Sequence, residues 1–229
     1  MIVYGFHPVL NFVKHKPELI KEIFICRDIS SDLVSKFKYK LIKRHELDNL
    51  TNSREHQGIA CKISYFPFVD FDNYFSKVNT ILILDHIEDP RNLGAILRNA
   101  AAFGIELVVI PKDRASDITP VVIKTSAGAA AIINISKVTN INNCIRTLKE
   151  HFFSIYGLEA DGKKELSQIT FDKNAVLILG SEGKGLSQLT KKLCDYIIRI
   201  DISEKASSLN VASASAITLY KMHKDFKSK

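Results

Sequence analysis

The sequence lacks the features that mark several large classes of protein. Its four cysteines lie far apart and form no Cys-x-x-Cys pair, which argues against a zinc site and against a disulfide framework. No apolar run approaches the roughly 18 residues of a membrane span, and the first residues lack the basic-then-apolar pattern of a signal peptide. We therefore expect a cytoplasmic protein with reduced thiols, no metal site and no membrane segment.

Two common nucleotide-binding motifs are also missing. The glycine-rich segment Gly180–Gly185 is not a Walker A loop, because Leu186 and Ser187 stand where that motif needs Lys and then Ser or Thr. No Gly-x-Gly-x-x-Gly fingerprint with a downstream acidic residue occurs. These absences disfavour ATP hydrolysis and NAD binding, and with them an oxidoreductase of the Rossmann type.

The charge of the chain favours a polyanionic partner. A net charge of +7 and a pI near 9.1 make nucleic acid the first candidate. The basic excess is spread along the chain, so charge alone leaves nucleic-acid binding open.

The sequence pattern changes near residues 66–76, and this change divides the chain into two predicted domains. Short, mixed segments precede it, with a helix predicted over Pro8–Val13 and strands over Glu22–Cys26 and Ile59–Ser64. Long aliphatic runs that alternate with helical patterns follow it. We predict a small α/β domain over residues 1–70 and a larger α/β domain over residues 71–229.

One segment of the small domain alternates lysine with apolar residues. In a strand over residues 36–41, the period of two would place three lysines on one face and Phe37, Tyr39 and Leu41 on the other. Two interpretations remain open for this segment: a face that contacts phosphates, and a half-buried strand with a solvated side.

The second domain has the alternation of a parallel α/β fold. It opens with the apolar run Ile81–Leu84, which is typical of a strand buried on both faces. A helix over Asn92–Phe103 and a strand over Leu107–Ile110 complete a βαβ unit, and Thr119-Pro120 predicts another helix start. Further apolar runs complete a sheet of five or six strands before a last helix, and these elements are Ile132–Ile135, Phe153–Leu158, Val176–Leu179, Ile197–Ile200 and the helix from Ala212 to about Met222.

Polar side chains cluster in three segments of the second domain. The segments are Asp89–Gly94 running on to Arg98, Gly180–Gly183, and Ser208–Val211. Each lies where an apolar run gives way to a loop or helix, which is where open α/β sheets place their ligands. We therefore predict one composite site, with a structural alternative for each segment: a capped helix start, a solvated arginine or a tight turn.

In the first segment, Asn92 can either cap the helix or hold a ligand. Gly94 permits the close approach of another backbone or of a ligand. Arg98 carries a permanently charged fork of donors, which suits phosphate or ribose oxygens.

Taken in this order, the three segments resemble the three motifs of the SpoU (TrmH-like) RNA ribose 2′-O-methyltransferases of the SPOUT superfamily. The resemblance covers about residues 78–222. The segments Tyr4–Val9 and His56–Ile59 are similar to signatures of a subgroup that carries a ribosomal-protein-like RNA-binding domain before the catalytic one. That subgroup includes the enzyme that methylates a guanosine ribose in large-subunit rRNA.

The resemblance implies a parallel sheet flanked by helices, a C-terminal trefoil knot and a homodimer. It also implies S-adenosylmethionine as the cofactor and RNA, either rRNA or tRNA, as the partner. The residues that match the cofactor-binding positions of the family are Gly180, Ile200 and Leu209. Those that match its RNA-binding and catalytic positions are Asn92, Arg98, Glu182 and Asn210.

Arg98 matches the position that the family links to activation of the ribose hydroxyl. A guanidinium with a pKa above about 12 is a poor proton acceptor. We therefore expect Arg98 to position the ribose and stabilise the developing alkoxide. In an alternative arrangement, Glu182 orients Arg98.

The chain departs from the family pattern just before the third motif. The family usually has Ile-Pro-Met-x-Gly, whereas this sequence has Ile200-Asp201-Ile202-Ser203-Glu204. Loss of the proline and the glycine changes the allowed backbone dihedrals, and the added carboxylates can repel RNA or attract a sulfonium. Three functions therefore remain open: an rRNA ribose methyltransferase, a tRNA ribose methyltransferase, and an RNA-binding assembly factor that has lost activity.

Overall fold

A computed structural model describes residues 1–26 and 37–228 of the chain. Lys36, the first lysine of the alternating segment, lies outside these residues. Within them, no helix combines the length and the apolar character that crossing a membrane requires.

The N-terminal part folds around a four-stranded sheet with the order β1-β4-β2-β3. The central strand β4 pairs antiparallel with both neighbours, and β2 pairs parallel with β3. The elements are β1 (Ile2–Tyr4), α1 (Phe6–His15), β2 (Ile20–Ile25), β3 (Tyr39–Leu41), α2 (Arg44–Thr51) and β4 (Ile59–Ile63). The predicted helix and two strands are thus present, with ends that differ by a few residues.

Of the two interpretations of the lysine-rich segment, the half-buried strand is wrong for β3. Tyr39 is 47% exposed and Leu41 is 73% exposed, while Phe37 is half-buried. The strand lies at the edge of its sheet, and Lys40 forms an ion pair with Glu22 of β2 at 2.6 Å. Alternation alone does not bury a strand whose apolar side has no element packed against it.

The C-terminal part contains a seven-stranded sheet in which every strand pair is parallel. The order is β7-β6-β5-β10-β8-β11-β9. Its strands are β5 (Thr80–Asp85), β6 (Leu107–Pro111), β7 (Asn134–Val138), β8 (Ser154–Leu158), β9 (Lys164–Glu165), β10 (Ala175–Gly180) and β11 (Tyr196–Arg199). The helices are α3 (Phe71–Tyr74), α4 (Pro90–Ala102), α5 (Pro120–Thr125), α6 (Ile141–Glu150), α7 (Gln188–Leu193) and α8 (Val211–Lys227).

The parallel α/β fold is confirmed, with two corrections to its elements. The sheet has seven strands rather than five or six, because the two-residue strand β9 carries no apolar run. Strand β7 begins at Asn134 rather than Ile132, because a 3₁₀ turn over Ala129–Ala131 precedes it.

The central strands of this sheet are buried on both faces, as Ile81–Leu84 predicts. Leu82 and Leu84 contribute to one apolar core with α4, α5 and α8, whereas Ile81 and Ile83 contribute to a second core with α6. The helices that carry the first and third polar segments, α4 and α8, therefore lie on the same side of the sheet.

The two parts of the chain share one of these cores. Val9 and Phe12 of α1 belong to the same apolar cluster as Leu82 and Leu93. At the contact, a Cβ added to Gly128 would lie 2.7 Å from the Cα of Pro8. Since there is no room for a side chain at this point, the N-terminal part is packed directly against the C-terminal part.

All four cysteines are free thiols, as expected. Burial raises the pKa of Cys61 to about 12, that of Cys144 to about 11 and that of Cys194 to about 12. Because the thiolate is the reactive form, these three side chains are poor nucleophiles near neutral pH.

Candidate active site

Three polar residues predicted from separate segments are joined by hydrogen bonds. The Asn92 amide nitrogen donates to the Glu182 carboxylate at 2.5 Å, and the Asn210 amide nitrogen donates to the Asn92 amide oxygen at 3.1 Å. Asn92 lies 90 positions before Glu182 and 118 positions before Asn210 in the chain. We call this arrangement the polar triad, and it shows that the three predicted segments converge in the structure.

Asn92 is available for the polar triad because another residue caps its helix. The Asp89 carboxylate accepts from the Arg91 backbone amide at 2.7 Å, and Pro90 occupies the first helical position. This is the preferred order of an acidic N-cap followed by proline. Of the two roles expected for Asn92, capping is therefore wrong, and the side chain faces the other segments.

Asn210 has two functions in the structure. Its side-chain oxygen accepts from the backbone amides of Ala212 at 2.8 Å and Ser213 at 3.4 Å, which caps α8. Its nitrogen is then free to donate to Asn92. The capped helix start, which is the structural alternative for this segment, is therefore present, with Asn210 as the cap.

A residue that the sequence argument missed holds the two helices of the polar triad together. The Asn99 amide nitrogen donates to the Ala212 carbonyl and to the Ser215 hydroxyl, both at 2.9 Å. These two hydrogen bonds connect α4 to the first turns of α8, so they fix Asn92 relative to Asn210.

The glycine-rich segment after β10 forms a closed turn. Ser181 and Gly185 pair across it, and a Cβ added to Gly180 would overlap the backbone of Gly185 and Leu186. Gly180 is therefore required by the close approach of two backbone segments. Gly94 has a comparable role, because an added Cβ would lie 2.7 Å from the Cβ of Thr125 on α5.

Two carboxylates on the strands that flank β10 hold the end of this turn. Glu159 follows β8 and accepts from the Leu186 backbone amide, and it forms an ion pair with Lys191 at 3.0 Å. Asp85 ends β5 and accepts from the Ser187 backbone amide at 3.2 Å and from the Thr190 hydroxyl at 2.8 Å. We call these two residues the flanking carboxylates. Both side chains are largely buried, so each amide has a fixed acceptor.

Glu159 also connects the turn to the end of β11. Its backbone amide donates to the Ile198 carbonyl at 2.9 Å, and its carbonyl accepts from the Gly162 amide at 3.3 Å. One residue thus links the turn after β10 to the segment that leads to Ile200.

Arg98 lies apart from the polar triad. It is exposed on α4 and forms no hydrogen bond or ion pair with any residue that the structure describes. Six residues separate it from Asn92, which corresponds to about 9 Å along the helix. Glu182 bonds to Asn92, and no hydrogen bond or ion pair joins it to Arg98 within the described residues.

The remaining predicted residues, Ile200 and Leu209, lie in the segment between β11 and α8. Ile200 is half-buried and follows β11 directly, while Leu209 is exposed and precedes α8. Within the described residues, the backbone amides of Ser207, Ser208 and Leu209 make no hydrogen bond. These groups are available to a ligand that binds through backbone atoms.

Comparison with known proteins decides the family. The sequence model of the SpoU rRNA methylase family matches residues 79–220. The chain belongs to this family. Residues 2–68 match a second model, which describes the substrate-binding domain of RNA 2′-O ribose methyltransferases.

Several curated SpoU-type proteins are similar over most of the chain. A 23S rRNA (guanosine-2′-O-)-methyltransferase of Shewanella oneidensis is 34% identical, over 96% of this chain and 95% of the relative. A putative TrmH family tRNA/rRNA methyltransferase of Staphylococcus haemolyticus is 37% identical, over 80% of this chain and 76% of the relative.

Solved structures of SpoU methyltransferases share the fold. The enzyme AviRb of Streptomyces viridochromogenes, solved with S-adenosylmethionine bound, aligns over 100% of this chain and 91% of its own, with a TM-score of 0.84 and 20% identity. An rRNA methyltransferase of Sinorhizobium meliloti, also solved with S-adenosylmethionine, covers 97% of this chain and 86% of its own with a TM-score of 0.84 and 20% identity.

Removal of the Glu159 side chain tests whether the flanking carboxylates support ligand binding. We expect Glu159→Ala to weaken S-adenosylmethionine binding about tenfold, because a largely buried amide then loses its acceptor. Glu159→Gln retains an acceptor oxygen, so its S-adenosylmethionine affinity should lie between those of Glu159→Ala and the unmodified protein. Isothermal titration calorimetry measures the dissociation constant of S-adenosylmethionine for each variant.

Glu106→Ala is the matched control for this prediction. The Glu106 carboxylate accepts from the backbone amides of Asn79 at 2.8 Å and Thr80 at 3.0 Å, at the opposite end of the sheet. This variant should lower the melting temperature while it leaves cofactor affinity unchanged. Equal cofactor affinity in Glu159→Ala and in the unmodified protein would show that Glu159 has no part in the site.

Proposed function

We propose that the protein transfers a methyl group from S-adenosylmethionine to a ribose 2′-hydroxyl of RNA, with a guanosine of large-subunit rRNA as the target. The polar triad is the observation that carries the proposal, because it joins all three segments that match the family motifs. The near full-length similarity to the Shewanella enzyme supports the choice of rRNA. The match of residues 2–68 to a substrate-binding family supports it as well.

The residues around the glycine turn fit this cofactor. S-adenosylmethionine supplies an electrophilic methyl group on a positively charged sulfonium. Gly180, Ile200 and Leu209 would hold it, largely through backbone atoms, and the unpaired amides of Ser207–Leu209 are suitable donors. Among the described residues, no group of three or more His, Cys, Asp or Glu side chains could hold a metal ion.

The polar side chains would act on the RNA. The Asn92 and Asn210 amides and the Glu182 carboxylate offer donors and an acceptor for ribose hydroxyls, which distinguish RNA from DNA. Arg98 is exposed and has no partner within the described residues, so it would bind phosphate and ribose oxygens and stabilise the alkoxide as it forms. The hydroxyl proton would pass to a phosphate oxygen or to water, because a guanidinium accepts none near neutral pH.

Methylation of purified RNAs tests this function. The protein is incubated with tritiated S-adenosylmethionine and either large-subunit rRNA transcript or total tRNA, and the RNA is digested to nucleosides. We expect label in 2′-O-methylguanosine from rRNA. Label confined to tRNA, or found on a base, would overturn the proposed substrate.

A second candidate function rests on the loop before the third motif. Asp201 and Glu204 are exposed there, where the family usually has proline and glycine. An RNA-binding assembly factor without activity would leave RNA binding intact while S-adenosylmethionine produced no heat in calorimetry. Cofactor binding together with label transfer excludes this candidate.

We also propose that the active form is a homodimer built on α8. Ile217 is 43% exposed and Tyr220 is 53% exposed on this helix, beside the α4 helix that carries Arg98. The paired variant Ile217→Glu/Tyr220→Glu should raise the dimer dissociation constant on the order of 100-fold, because it places carboxylates in an apolar contact. Size-exclusion chromatography with light scattering measures the change.

Phe152→Glu serves as the control for the dimer. Phe152 is 89% exposed and follows α6, on the opposite face of the sheet. A dimer that survives the α8 substitutions, or one that only Phe152→Glu disrupts, would contradict the proposed contact.

Three further features are proposed from family membership. They are a domain boundary between residues 70 and 71, a C-terminal trefoil knot, and a location in the cytoplasm where rRNA is modified. The separate matches of residues 2–68 and 79–220 support the boundary.

A further inference from the structure

A second polar pocket lies in the N-terminal part, away from the polar triad. It has a volume of about 310 Å³, and the described residues that line it are Cys26, Arg44, Arg54, Glu55, His56, Gln57 and Gly58, of which Glu55 alone is acidic. We call it the arginine pocket. None of the residues proposed for catalysis lines it.

The floor of the arginine pocket is held by a buried histidine. His56 is 1% exposed, and its Nδ1 accepts from the Gly58 backbone amide at 2.9 Å. Since Nδ1 is an acceptor, the proton is on Nε2, which donates to Asp48 at 2.8 Å. The Gly58 carbonyl in turn accepts from the Cys26 amide at 3.0 Å. The pocket is therefore built from fixed backbone, and its histidine has no free nitrogen.

The two arginines of the pocket have no partner within the described residues. Arg44 and Arg54 are both exposed, and neither forms a hydrogen bond or an ion pair there. Two guanidinium groups facing one cavity suit the oxygens of a phosphodiester, which each can bind in a bidentate manner. No Phe, Tyr or Trp side chain lines the pocket among the described residues, so the usual aromatic platform for stacking a base is missing there.

The wall of the pocket is also tied to the catalytic part. The Gln57 side-chain oxygen accepts from the Phe6 amide and from the Lys124 ammonium, both at 3.0 Å. Lys124 belongs to α5, and α5 packs against Gly94 of α4. A ligand in the pocket would thus occupy a fixed position relative to the helix that carries Asn92 and Arg98.

We propose that the arginine pocket binds a backbone phosphate of the RNA substrate, remote from the methylated ribose. The proposal rests on the proposed function. This phosphate contact would not discriminate between bases. It would fix the position of the RNA along the protein, and so determine which ribose reaches the polar triad.

The test uses the full-length double variant Arg44→Ala/Arg54→Ala and two RNA probes. One probe is a fluorescein-labelled single-stranded oligoribonucleotide, and the other is the large-subunit rRNA transcript. The slope of log affinity against log salt for the oligoribonucleotide should fall by about one for each arginine that contacts a phosphate. With the transcript, KM should rise about tenfold while kcat and S-adenosylmethionine affinity stay unchanged.

Two control variants separate a pocket from general surface charge. Lys62→Ala removes an exposed cation of the same sheet outside the pocket, and it should leave KM unchanged. Arg44→Lys/Arg54→Lys keeps the charge but loses the planar fork, so it should retain the salt slope and recover only part of the affinity.

The outcomes distinguish this proposal from the proposed function. If the unmodified protein methylates the transcript and the double alanine variant matches it in KM and salt slope, the pocket assignment is wrong and the function stands. If the unmodified protein methylates no RNA but the salt slope still depends on both arginines, the function is wrong and the pocket stands.

Discussion

Arg98→Ala is expected to lower the methylation rate on the order of 100-fold or more while S-adenosylmethionine affinity changes less than about twofold. Loss of one preorganised donor to a developing oxyanion typically costs that much. Cofactor affinity should persist because Arg98 forms no hydrogen bond or ion pair with the glycine turn in the described structure. Initial rates on the rRNA transcript and calorimetry with the cofactor give the two values.

The arginine variants also separate charge from geometry. Arg98→Lys keeps a cation at the same place but cannot form a bidentate contact, so its rate should fall between those of the other two proteins. Arg146→Ala removes an arginine from α6, on the opposite face of the sheet, and should leave the rate unchanged. A near-normal rate for Arg98→Ala would remove Arg98 from the mechanism.

Gly180→Ala is expected to weaken S-adenosylmethionine binding by about 10-fold to 100-fold. The added methyl group would overlap the backbone of Gly185 and Leu186, and forced overlap in packed structure costs about 1–3 kcal/mol. The turn must shift, and with it the backbone groups on one side of the proposed cofactor site. Calorimetry measures the loss, and a thermal melt shows that the variant remains folded.

Gly183 provides a control within the same turn. It has a φ of +77°, and a Cβ added there would meet nothing within 4 Å. Gly183→Asn should be tolerated, since asparagine adopts the left-handed conformation more readily than most residues. Equal losses in the two variants would mean that the turn tolerates no substitution at all, which would contradict a specific role for Gly180.

Much of the catalytic fold follows from local sequence. The runs Ile81–Leu84 and Val176–Leu179 predict strands buried on both faces, because such strands need apolar side chains at every position. The convergence of Asn92, Glu182 and Asn210 was also predictable, since parallel strands bring their carboxyl ends to one edge of the sheet.

Other features depend on neighbours that the sequence does not reveal. Asp89 and Asn92 are both residue types that cap helices well. The sequence alone does not show that the helix begins at Pro90, which makes Asp89 the cap. Leu41 fits the alternation but is largely exposed. Glu159 bonds to an amide 27 residues away, and no local pattern announces such a contact. The sequence gives a weak indication of a polar role for Asp85, because this carboxylate directly ends an apolar run.

The shared apolar core of the two parts limits how this enzyme can diversify. Val9 and Phe12 fill space beside Leu93, and Gly128 leaves no gap under Pro8. A graft of an unrelated RNA-recognition module onto residues 71–229 would leave that apolar surface in water. New substrates would therefore be acquired more easily by changing exposed side chains, such as those of the arginine pocket, than by exchanging the whole N-terminal module.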